Sequence, residues 1–156
     1  MGRARKWPLV LLLLLFFVGQ LSVVPQVFRG LKPECILIFV ACVGLYAGPR
    51  WGIGLGIVGG ALEAVFEGRS AGAFILSRAI SGLLGGVIGE RAFKENLFVA
   101  SFIGVVCTWA GEATFGVVSP TMTLLDWLKV TAVESAWAAV LGPVVYLMMW
   151  LACGLP

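Results

Sequence analysis

Four ionisable side chains stand where the surrounding sequence is apolar. They are Glu63 in "GGALEAVFE", Arg78 in "FILSRAISGLLGG", Glu112 in "TWAGEATFG" and Glu134 in "VTAVESAWAA". Carboxylates and a guanidinium in such surroundings support three kinds of chemistry: proton transfer, ligand binding, or mutual neutralisation that fixes how helices assemble. Proton transfer has little to draw on. Histidine is absent, which removes the usual general base, haem ligand and zinc ligand together. A proton relay also lacks a second basic group within these stretches. The serines and Thr108 have no histidine or lysine beside them to activate a hydroxyl. Cys35, Cys42, Cys107 and Cys153 show no C-x-x-C spacing; they read as small buried hydrophobes, and nothing in their spacing demands a disulfide. The expectation is a non-enzymatic protein with no catalytic residue, no metal and no cofactor.

The elements that carry these charges follow from composition. Of 156 residues, 60% are hydrophobic and 12% charged, where a soluble domain carries about 25% charged residues. The apolar stretches are too long and too uniform for one-sided soluble helices. The expected fold is an all-α integral membrane protein, a compact bundle of about six transmembrane helices forming a single domain over 1–156. Proline, glycine and charge divide it into helices near 7–24, 34–47, 51–66, 71–89, 97–118 and 124–151. The N-terminal "MGRARKWPLVLLLLLFFVGQLSVV" resembles a signal peptide, but no A-x-A-like site follows it, so it reads as a retained first helix. The second helix is short for a ~30 Å hydrocarbon core, which suggests a tilted or partly re-entrant segment. Pro143 is expected to kink the last helix.

The net charge of +3 is small, and no stretch is basic enough to read as a nucleic-acid surface. Its distribution orients the chain. Arg3, Arg5, Lys6, Arg50, Arg91 and Lys94 fall on one side, against Arg29, Lys32, Arg69 and Lys129 on the other. By the positive-inside rule both termini are then cytoplasmic.

With that topology, Glu63, Arg78, Glu112 and Glu134 all fall in the outer half of the bilayer. A charge in hydrocarbon costs at least ~2.5 kcal/mol even on lenient insertion scales, so the four are expected to face the bundle interior and pair. The simplest arrangement has Arg78 bridging Glu112 and Glu134, with Glu63 nearby. Such a cluster either fixes helix order or lines a ligand pocket or partner-docking site. A second organised signal is glycine. Gly52, Gly56 and Gly60 share one face of the third helix; Ser81, Gly85 and Gly89 share one face of the fourth, with Gly82 and Gly86 beside them. Small-xxx-small ridges let helix backbones approach closely, here the third helix on the fourth. No G-K-[ST] follows these glycines, which argues against a phosphate loop.

The block "LKPECILIFVACVGLYAGPRWGIGLGIVGGALEAVFEGRSAGAF" and the following "SRAISGLLGGVIGERAFKENLFVA", with the basic N-terminus and the length, resemble the rod shape-determining protein MreD family. The likeness covers nearly the whole chain and rests on pattern: a proline-led apolar helix, a glycine-containing turn, and a glycine-rich helix ending in an acid. That acid is Glu63, where the family pattern leads one to expect aspartate. The resemblance implies a multi-pass protein of the bacterial inner (cytoplasmic) membrane, a scaffold of the cell-elongation complex that sets cell shape through peptidoglycan synthesis. It implies a bitopic MreC-like partner, with RodA, a class B penicillin-binding protein and MreB further out, and no nucleic acid. It also implies a fold similar to the substrate-binding components of energy-coupling-factor transporters. The alternative function is therefore a vitamin-binding transport component. Against it, the first helix offers no small-residue docking face before Gly19, and the outer loops are short. An intramembrane enzyme or a small channel is a more distant third reading.

Overall fold

The computed structural model describes residues 7–22, 33–68, 70–91, 97–120 and 123–153. Among them are six helices and no strand: α1 (Trp7–Ser22), α2 (Cys35–Ala47), α3 (Pro49–Glu67), α4 (Ala71–Arg91), α5 (Leu97–Val118) and α6 (Leu124–Cys153). By length and composition, three segments are apolar enough to cross a membrane: Ala71–Arg91, Phe98–Val118 and Leu124–Cys153. α1 and α2 are equally apolar but shorter. Large apolar side chains stand exposed on every helix except α2, Leu11, Val65, Leu76, Phe98 and Leu151 among them. An apolar exterior this extensive belongs to a protein that meets lipid or partners. Of the basic residues that orient the sequence, Arg3, Arg5, Lys6, Arg29, Lys32, Arg69 and Lys94 lie outside the described residues.

The shortness of α2 goes with its burial. Every residue from Ile36 to Tyr46 is buried, and the helix packs against each of the other five. A helix that is apolar all round belongs in an interior. Its 13 residues reach about 20 Å, and with no lipid-facing side its length need not match the bilayer. α2 stops at Gly48, whose φ of 92° and ψ of 170° lie in a region open only to glycine. The Gly48 N–H closes back on the Gly44 carbonyl at 2.8 Å. Pro49 then opens α3, where its fixed φ suits a first helical turn and its missing N–H is not needed.

The glycine ridges do more than bring α3 onto α4. A Cβ at Gly56 would lie 2.5 Å from the Arg78 carbonyl oxygen, and one at Gly60 2.6 Å from that of Phe74. Gly52 and Gly82 meet backbone to backbone. These contacts join α3 to α4 as expected. On the next strip of α4, however, Gly85 abuts Ala41 and Gly89 abuts Leu45, both on α2, while Gly86 abuts Pro49. α4 is thus wedged between α2 and α3 at backbone contact on both sides. α1 joins the block through Leu9, Leu13 and Phe17, one stripe at i, i+4 and i+8. Pro143 lies inside α6, which stays helical to Cys153.

Candidate functional site

Arg78 is carried into the bundle by the same helix that carries the glycines. It is 1% exposed and is the one buried cation among the described residues. Its Nε donates to Glu63 Oε2 at 2.6 Å, its Nη1 donates to Ser77 Oγ at 3.1 Å, and its Nη2 meets Glu34 Oε2 at 2.8 Å as an ion pair. The guanidinium carbon also stands 5.5 Å from the Phe74 ring centre, within cation–π range. All three nitrogens are therefore engaged, by Glu34 just before α2, by Glu63 on α3 and by Ser77 on α4.

Arg78 does not bridge Glu112 and Glu134 as expected; it pairs with Glu63 and Glu34. Glu63, 3% exposed, projects from α3 close to the point where α3 crosses α4 at Gly60, so the close backbone approach brings its carboxylate within reach of the guanidinium. Glu34 is the residue that sequence reasoning missed. Directly after Pro33 and before an apolar helix, it has the position of an N-terminal acidic residue that favours the helix dipole. Its side chain makes no cap hydrogen bond, because it is turned to Arg78. The capping duty passes to Gln20 of α1, whose Oε1 accepts from the Ile36 N–H at 3.0 Å while its Nε2 donates to Glu63 Oε1 at 2.8 Å. One amide thus ties α1 to α2 and to α3. The available signal was that Gln20 and Ser22 are the only side chains with strong hydrogen-bonding groups between Leu9 and Ser22.

Glu112 on α5 and Glu134 on α6 do come together, but with Glu34 rather than with Arg78. One carboxylate oxygen from each of Glu34, Glu112 and Glu134 lies within 4.8 Å of the others. The Oε2 of Glu134 is buried and accepts no hydrogen bond, and neither does the buried Thr131 Oγ1 one turn earlier on α6. The trio opens into a cleft of about 530 Å³ at the end of the bundle where α2, α4 and α6 begin and α3 and α5 end. Phe74, Phe115 and Trp127 form its apolar wall. Phe74 and Phe115 meet edge-on at 5.0 Å between ring centres, and the Trp127 indole N–H donates to the Glu112 carbonyl at 3.3 Å. The rings are thereby fixed beside the carboxylates. All four cysteines are free thiols, with Cys42 and Cys107 buried.

The arrangement can do two things. The Arg78 hub neutralises two carboxylates and locks four helices together. The cleft presents two further carboxyl groups, which make no ion pair among the described residues, beside an aromatic wall. Compared with known proteins, the chain matches no family model, no curated protein and no solved structure.

Proposed function

We propose that this chain is a non-enzymatic scaffold of the bacterial cytoplasmic membrane, crossing it with six helices and keeping both termini in the cytoplasm. In this reading it belongs to the cell-elongation machinery that builds the lateral peptidoglycan wall. It docks an MreC-like bitopic protein and, through it, RodA, a class B penicillin-binding protein and MreB. The MreD-like sequence pattern is the source of the reading. The structural observation that supports it is the use of Arg78: two of its nitrogens are spent on Glu63 and Glu34 of other elements and the third on Ser77 of its own helix, so the one buried cation among the described residues holds the bundle together rather than facing a reactant. The backbone-close packing of α2, α3 and α4 makes the block rigid, and the apolar exterior leaves room for a transmembrane partner beside it.

One observation favours the alternative, a substrate-binding component of an energy-coupling-factor transporter. The cleft of about 530 Å³ lies within the range that small-molecule sites occupy. Coexpression separates the two. With an affinity tag on a bitopic MreC-like protein, the chain is expected to coelute in mild detergent at fixed stoichiometry. Elution without that partner, together with a vitamin in the mass spectrum of the purified chain, would replace the scaffold by the transport component.

A further inference from the structure

We propose that the cleft is a binding site for a small organic cation, a primary ammonium group carried on an apolar or aromatic body. The site is independent of the scaffold reading, since it belongs to the isolated chain. Three observations converge on this chemistry. The first is charge. Glu34 and Glu63 pair directly with Arg78, while Glu112 and Glu134, 9% and 8% exposed, make no ion pair among the described residues. Carboxyl groups removed from water to this degree hold a negative charge only beside a cationic partner. The second is the Glu134 Oε2 atom, buried without a hydrogen-bond donor in a side chain that lines the cleft. Buried acceptors in native structures are satisfied, and a donor entering the cleft satisfies this one.

The third observation is shape, and it selects the class of cation. An ammonium group has three N–H donors in tetrahedral directions. At a charge-assisted distance of about 2.8 Å to each acceptor, its three oxygens stand about 4.6 Å apart. One carboxylate oxygen from each of Glu34, Glu112 and Glu134 lies within 4.8 Å of the others, close enough for a single three-donor group to reach all three. A divalent ion such as calcium takes six to eight oxygen ligands, whereas here the trio opens onto Phe74, Phe115 and Trp127. Aromatic faces beside carboxylates attract an organic cation twice, through the ring quadrupole and through apolar contact with its body. The cleft also has far more room than a bare ion fills, enough for a body of one ring and a short chain.

The probe is phenethylammonium, titrated calorimetrically into the full-length chain in detergent, with 2-phenylethanol as the neutral analogue and calcium and magnesium as the metals. Saturable binding of phenethylammonium is expected, with no binding of the alcohol. Glu134→Gln, which keeps the side chain's shape, is expected to weaken binding about tenfold or more while the chain melts at an unchanged or higher temperature. If Glu134→Gln does not fold, Glu112→Gln carries the same expectation. Equal binding of amine and alcohol would reduce the cleft to an apolar pocket and overturn the proposal. So would tight binding of calcium or magnesium that displaces the amine, amine affinity unmoved in the folded variants, or no saturable heat at all. None of these outcomes bears on coelution with an MreC-like partner, so the two readings fail separately.

Discussion

Arg78 and its partners form a network in which no member can be removed alone without leaving a charge or an amide stranded. Arg78→Ala is expected to destabilise the chain by about 3 kcal/mol or more, because Glu34 and Glu63 are then left facing each other without a cation. Arg78→Lys is expected to recover little of the loss, since one ammonium cannot span the positions that Nε, Nη1 and Nη2 reach in a fixed fork. Thermal melts in detergent measure both; an Arg78→Ala protein as stable as the parent means that the hub does not hold the bundle. Gln20→Leu tests the amide bridge, with an expected loss of about 1–3 kcal/mol from the Ile36 N–H and the Glu63 oxygen left unpaired. The charged residues themselves were legible in the sequence, since Glu63, Arg78, Glu112 and Glu134 each interrupt an apolar run. Their pairing was not. Shared depth is set by distance from helix ends, whereas pairing depends on rotation about each helix axis, and Glu34 was disguised by its place at a helix start.

At the scale of elements, glycine decides where backbones meet. Replacing glycine by alanine inside a helix ordinarily stabilises it by roughly 0.5–1 kcal/mol. At Gly54, where an added Cβ meets nothing within 4 Å, that sign is expected to hold. At Gly56, two residues on, the Cβ lands 2.5 Å from the Arg78 carbonyl oxygen. The obstacle is backbone, so α3 and α4 must separate, and Gly56→Ala is expected to destabilise by about 1–3 kcal/mol. Opposite shifts in melting temperature for this pair of variants check the crossing. Equal shifts would mean that the helices do not touch there. The Gly56 substitution also displaces Arg78 from Glu63, so its effect should not add to that of Arg78→Ala. Four-residue glycine spacing made the α3–α4 crossing readable from sequence. The second contact, Gly85 and Gly89 against α2, was not readable, because spacing names a smooth strip but not the neighbour that fills it. The same limit hid the role of α2: a short apolar helix reads as an incomplete membrane crossing until its neighbours show that it is the centre of the block.

For the whole molecule, the outstanding property is the polarity of the bundle between its two ends. The cleft end carries the starts of α2, α4 and α6, and the opposite end carries Arg50 and Arg91 at the start of α3 and the end of α4. In the proposed topology the positive-inside rule puts Arg50 and Arg91 in the cytoplasm, so the cleft opens to the outside. This follows without any assumption about a ligand and can be tested in intact cells. Cys42 and Cys107 are buried, and only Cys35 and Cys153 have partial exposure. Replacing those two by alanine therefore leaves a background of shielded thiols. A single cysteine introduced as Ser119→Cys, at the rim of the cleft, is expected to react with a membrane-impermeant maleimide on whole cells. Arg91→Cys, exposed at the far end of α4, is expected to react only after permeabilisation. The reverse pattern would turn the bundle over and aim the cleft at the cytoplasm, while labelling of both sites from outside would remove α5, the helix between them, from the set of crossing helices. The first pattern also constrains partners. A protein that docks at the cleft end must then present its binding domain on the outer side, and a cation that enters the cleft must come from there.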